Sequence, residues 1–174
     1  GRPNRQKQPK QPAPKPAASN AIKTAAMTEV AFHFNAVDKL AYACRLLRKA
    51  CASSARVMVT GDAEQMKLLD AQLWTFDPMS FVPHCLSDAS PETLALTPVI
   101  LTTDGNLPTS VPHHEVMINL GQSLIKGFET FERVIEVVCL DEQDKALARQ
   151  RWKHYSERGY PLVRHDLSPK KVPA

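Results

Sequence analysis

Apolar positions along the chain change period repeatedly, from two to about 3.6 and back, as expected for strands alternating with helices. In TEVAFHF, Val30, Phe32 and Phe34 alternate with smaller or polar neighbours and predict a strand. Asn35 and Asp38 offer capping chemistry ahead of a helix, DKLAYACRLLRKACAS, whose stripe of Leu40, Ala43, Cys44, Leu47 and Cys51 falls on one face. RVMVT reads as a β-branched strand. Gly61-Asp62 then turns the chain into AEQMKLLDAQLW, a helix that should bury Met66, Leu69 and Leu73.

Asp77-Pro78 should break that helix; SFVPH reads as a short extended segment, and DASPETLAL as a loop that its prolines hold non-helical. PVILTT and EVMINL predict two paired strands, joined in a hairpin-like way across Gly105-Asn106 and Pro108. A short helix around Gly127 to Phe131 precedes the strand RVIEVVCL. Asp141 caps a last helix, which Gly159 ends at C′ before Tyr160-Pro161. The class is α/β. Strand-helix-strand-helix at the start implies right-handed parallel crossovers and the later hairpin implies antiparallel edges, so the expected sheet is mixed and mostly parallel.

Composition adds domain limits. The first 26 residues hold five prolines, six Lys or Arg and no acid, too polar to repay the entropy of ordering, and read as a disordered basic extension. The expected globular domain runs from Met27 to Ser168, with 169–174 a flexible tail. No apolar run approaches the roughly 18 residues needed to span a bilayer. No signal-peptide pattern is evident, and Cys44, Cys51, Cys85 and Cys139 show no CxxC or zinc-like spacing, so the cytoplasm is the expected compartment.

The formal net charge of +4 conceals three unlike segments. Residues 1–26 carry +6, residues 27–144 carry −8, and residues 145–171 carry +6. Most of the body would therefore repel phosphate, which argues against a broad duplex-binding face. Phosphate loops are also missing: neither strand-to-helix turn, Asn35-Ala36-Val37 nor Gly61-Asp62-Ala63, offers GxGxxG or GxxxxGK[ST]. His113, His114 and Glu115 are the compact set of metal-ligand types, but neighbouring positions beside a strand point to opposite faces. His84 has no acid or nucleophile at readable helical spacing. No catalytic residue, metal ligand or cofactor is expected, and the chain does not read as an enzyme.

The segment KALARQRWKHYSERGYPL remains. On a helix, Ala148, Trp152 and Tyr155 form a stripe, flanked by Lys145, Arg149 and Lys153 on one side and by Leu147 and Arg151 on the other. The stripe suits a core face with a solvated basic rim. It equally suits a docking site for an acidic peptide with an apolar anchor, because acids are nearly missing after Asp144. In the second case the apolar pocket sets affinity, and the bases set orientation and salt dependence.

The runs LDAQLWTFDPMSFVPHCL and LARQRWKHYSERGYPL resemble, in order and spacing, the chi subunit family of bacterial DNA polymerase III holoenzyme, over Met27 to about Ser168. The resemblance implies a Rossmann-like three-layer sandwich with no nucleotide-binding loop, and a non-catalytic accessory subunit of the clamp-loader complex. It implies two partners: the psi subunit, and the acidic C-terminal tail of single-stranded-DNA-binding protein, whose last residue is Phe. Carried over by position, the tail site is Val138, Lys145, Arg149 and Trp152, with Trp152 standing where the family often has Tyr. The psi contact is placed around Phe81, Val82 and Leu86, with Trp74 as a core support. Two rival expectations stand beside this one: a nucleotide-dependent α/β enzyme, and direct single-stranded-DNA binding through the basic helix.

Overall fold

The computed structural model describes residues 27–75, 79 and 81–169; the basic extension, the expected break at Asp77-Pro78 and residues 170–174 lie outside the described residues. Among the described residues seven strands form one sheet: β1 (Glu29–Ala36), β2 (Val57–Gly61), β3 (His84–Leu86), β4 (Val99–Thr103), β5 (Val116–Asn119), β6 (Arg133–Cys139) and β7 (Leu162–Asp166). Among the same described residues four helices flank it: α1 (Lys39–Ala52), α2 (Ala63–Thr75), α3 (Pro91–Leu96) and α4 (Glu142–Glu157), with a 3-10 turn at Phe128–Thr130. The sheet order is β3-β4-β2-β5-β6-β1-β7. Together they make the expected α/β three-layer sandwich of Rossmann-like form.

Every strand pairing is parallel, which corrects the mixed sheet. β4 and β5 do not pair with each other; they flank β2 on opposite sides. The left-handed residues Asp104 and Gly105 do turn the chain at the end of β4, as Gly105 suggested. The following residues then run back along the α4 face, where Leu107 and Val111 pack into the core, so the connector acts as a crossover without a helix.

The two faces bury separate cores. On one, Ala43, Cys44 and Leu47 of α1 and Met66, Leu69 and Leu73 of α2 cover Val57, Val59, Leu101, Ile118 and Val137. On the other, Leu94 of α3 and Ala148 and Tyr155 of α4 cover Val30, Phe32, Met58, Ile100, Met117 and Val134. Crossovers toward the β3 edge use the first face and those toward β7 use the second, as one uniform crossover hand requires.

Local capping follows the sequence. Asp38 accepts from the N–H groups of Leu40 and Ala41. Asp62 and Gln65 bond each other's backbone reciprocally, a capping box at the start of α2. Asp141 accepts from the Asp144 N–H at 3.0 Å. The loop expected over residues 88–96 is corrected to α3: Ser90 caps the Thr93 N–H, and Pro91 sits in the first turn, where its missing N–H costs nothing. β7 was not expected. It follows Gly159, which adopts φ +76° past the end of α4, and pairs with β1.

Candidate functional site

α4 is clamped to the sheet by a buried polar cluster. The Arg151 Nε donates to Glu136 Oε2 at 2.8 Å, and the Tyr155 hydroxyl donates to Glu136 Oε1 at 2.8 Å. Asn119 Nδ2 reaches both Glu136 oxygens, and Arg151 Nη1 donates to the Gln122 carbonyl at 2.7 Å. Burial, then the adjacent Glu136 carboxylate, pushes the Tyr155 hydroxyl far above its usual range, so it stays a donor. The placement of Arg151 on the basic rim is therefore corrected: it is 4% exposed and belongs to the core. Its removal inward fixes which face of α4 looks outward.

That outward face opens on a cleft of about 380 Å³ lined by Val138, Lys145, Ala148, Arg149 and Trp152 together with Phe32, Phe34, Asn35 and Arg164. All four residues expected at the tail site thus meet in one place. Val138 forms the floor, near the carboxyl end of β6. Lys145, Arg149 and Trp152, spaced by four and three residues, form the α4 wall. Trp152 is half-buried. Its indole meets Phe32 edge-on with centroids 5.1 Å apart and leaves part of its surface to the cleft. Lys145 lies 3.8 Å from the exposed Glu142, a pair that solvent largely screens.

Sequence reasoning missed the opposite wall. Phe32 and Phe34 mark only an alternating strand in the sequence, and Arg164 belongs to the unexpected β7. The signal for Arg164 was period-two alternation: Leu162 and Arg164 share the α4 face, while His165 turns to the other face and stacks on His33 at 4.6 Å.

The expected psi site lies at the other edge of the sheet. Phe81 is 51% exposed and Leu86 44% exposed, but Val82 is 2% exposed inside the α1/α2 core and presents no contact surface. Trp74, expected as a core support, is 60% exposed because it sits in the last turn of α2 beyond the buried stripe. Its ring packs on Phe81 at 5.2 Å and on His84 at 5.0 Å. No acid stands at readable spacing from His84, yet Nε2 pairs with Asp70 at 2.9 Å and Nδ1 with the Val82 carbonyl at 2.7 Å. Nε2 thereby ties β3 to α2, and Nδ1 ties the ring to the segment just before the strand. The result is an exposed aromatic patch beside an edge strand that pairs on one side only.

At the carboxyl ends of β2, β5 and β6, where open α/β sheets usually bind ligands, lies a polar crevice of about 470 Å³. Its lining includes Asp62, Asp104, Asp141 and Asp144 against a single lysine, Lys39, which is paired with Asp144 at 2.9 Å. Burial would raise the Asp144 carboxyl, but the Cys139 N–H and Lys39 outweigh it and hold the group below its ordinary range. Such a lining repels phosphate. Among the described residues no group of three or more His, Cys, Asp or Glu could hold a metal ion, and no helix is long and apolar enough to cross a membrane.

Comparison with known proteins fits these features. The family described as DNA polymerase III chi subunit, HolC, matches residues 27–163. DNA polymerase III subunit chi of Pseudomonas aeruginosa is 34% identical over 130 residues, covering 74% of this chain and 87% of that protein. The subunits chi of Haemophilus influenzae and Escherichia coli are 31% and 30% identical over 121 and 129 residues, covering 69% and 74% of this chain and 81% and 84% of those proteins. With a fold that keeps the α/β frame but fills its ligand crevice with aspartates, and with the profile matching nearly all the described residues, the chain belongs to the DNA polymerase III chi subunit family, accessory subunits of replication.

Proposed function

We propose that this chain is a non-catalytic adaptor of the clamp-loader complex, joining the psi subunit to the acidic C-terminal tail of single-stranded-DNA-binding protein. The observation that carries the reading is the convergence of Val138, Lys145, Arg149 and Trp152 on one open cleft with an apolar floor and a cationic wall. An aromatic chain end suits the Phe32, Val138 and Trp152 surfaces. Arg149 can grip a terminal carboxylate bidentately, and Lys145 meets acidic residues farther back. One buried aromatic and a few screened ion pairs place the dissociation constant on the micromolar scale, roughly −7 to −8 kcal/mol.

The exposed Trp74, Phe81 and Leu86 patch is the surface we assign to psi. It lies on the β3 edge of the sheet, whereas the cleft lies toward the β7 edge, so both partners can bind together. Titrating a synthetic tail peptide against the wild type and Arg149→Ala tests the reading. Loss of about tenfold or more in the variant, with weakening by salt, supports it; equal binding by both proteins removes its basis. ATP or NAD raising the melting temperature would instead favour an enzyme acting at the polar crevice.

A further inference from the structure

We propose that Arg164 of β7 is a second guanidinium of the cleft, held in place by aromatic stacking, and that it makes the site selective for a free chain-terminal carboxylate. The inference rests on the tail-binding reading above and concerns a residue outside the set that reading uses.

Register carries the first step. Phe32 of β1 stands opposite Arg164 of β7, so the arginine emerges beside the aromatic floor on the α4 side of the sheet. Its guanidinium carbon lies 5.3 Å from the Phe34 ring centroid and 5.4 Å from that of Trp152. Two ring contacts from separate elements restrict a side chain that would otherwise sample many rotamers. A cation–π contact engages the charge and uses up no donor, so the guanidinium N–H groups stay available to a ligand.

The nearest acid in sequence, Asp166, feels the Arg164 charge, but no hydrogen bond joins the two side chains among the described residues. Asp166 accepts from Asn35 Nδ2 at 2.9 Å and from the Ser168 N–H at 2.9 Å. Among the described residues the Arg164 side chain makes no hydrogen bond and no ion pair within bonding distance. Arg149, on the α4 wall of the same cleft, likewise makes none. Two guanidiniums on different elements, both with open donors above an apolar floor, suit a carboxylate attached directly to an aromatic residue. An acidic side chain in mid-peptide cannot place its own backbone so deep.

The ordering also separates the two arginines. Among the described residues Arg149 projects from α4 with no ring contact, whereas Arg164 is pre-positioned, so less of its freedom is lost when a ligand binds. Replacement by lysine keeps the charge but loses the fork and most of the stacking.

The test uses two fluorescent peptides of the same acidic sequence ending in Phe, one a free acid and one a C-terminal amide, titrated against the full chain and against Arg164→Ala and Arg164→Lys. We expect the wild type to prefer the acid by about tenfold or more. Arg164→Ala should lose most of that preference while binding the amide nearly as before, and Arg164→Lys should fall between. An unchanged preference in Arg164→Ala, or equal weakening toward both peptides, overturns the assignment of Arg164 but leaves the tail site standing. Failure of the wild type to bind either peptide overturns the tail-binding reading itself.

Discussion

Arg151 and Glu136 meet at 2.8 Å inside the core, one on α4 and the other on β6, with 4% and 0% of their side chains exposed. Such a pair contributes little net stability compared with apolar residues of the same shape, but removing one member strands a buried charge. Here the pair sets the rotation of α4. If the helix turned by one residue, Trp152 would face the core and the cleft wall would be lost.

Arg151→Ala should therefore destabilise the fold by about 3–5 kcal/mol, measured by urea denaturation at neutral pH. The double variant Glu136→Leu with Arg151→Met should recover only part of that loss, because it leaves the buried Tyr155 hydroxyl without its acceptor. If the single variant costs less than about 1 kcal/mol, the pair is not what anchors the helix.

Trp152 provides a second test, because its ring is both wall and stacking partner of Arg164. Trp152→Ala should weaken binding of the acidic peptide by about ten- to a hundredfold, whereas Trp152→Tyr should stay within about threefold. Calorimetric titration separates these outcomes, and equal affinities for both variants would mean that the ring contributes no contact.

Two buried histidines predict acid sensitivity. His33 is pushed down to about 4, first by burial and then by the charges of His165, Arg133 and Lys49. Burial likewise lowers His113 to about 4, aided by Arg56 and His114 and opposed by Glu115. In the unfolded chain both protonate near 6.5, so their contribution is complete above that pH and falls as pH drops toward 4, by about 1.4 kcal/mol per unit for each. Asp144, held below its ordinary range, adds a further loss at still lower pH. Urea midpoints between pH 7 and 4 should fall steeply, and His113→Gln should flatten the slope; a flat profile in the wild type would contradict the assignment.

At the other edge, exposure divides one short run into surface and core. Phe81→Ser and Trp74→Ser should change stability by no more than about 0.5–1 kcal/mol yet abolish co-purification with psi. Val82→Ala should cost one to a few kcal/mol and affect psi binding only through folding. Retained co-purification in both serine variants would move the psi contact elsewhere.

Periodicity made the helices legible where one face was clearly apolar. The stripe of α2 came through intact in Met66, Leu69 and Leu73. Sheet order did not, because pairing depends on which face a connector follows, and Gly105 signals a turn in a hairpin and in a crossover alike. Pro91 misled because proline stops a helix from within but starts one at its first turn. For the cleft, the α4 wall was contiguous in sequence and could be read directly. Phe34 and Arg164 are 130 positions apart along the chain and become neighbours only through the pairing of β1 with β7. Trp74 escaped for a related reason: at the end of a helix, wheel position no longer decides burial.

The cleft joins the first strand in the chain to the last. During translation no partly made chain can offer it, since the arginine that stacks on Phe34 emerges from the ribosome almost at the end of the domain. On the proposed adaptor role, competence to bind the acidic tail would therefore arrive only with completion of the fold.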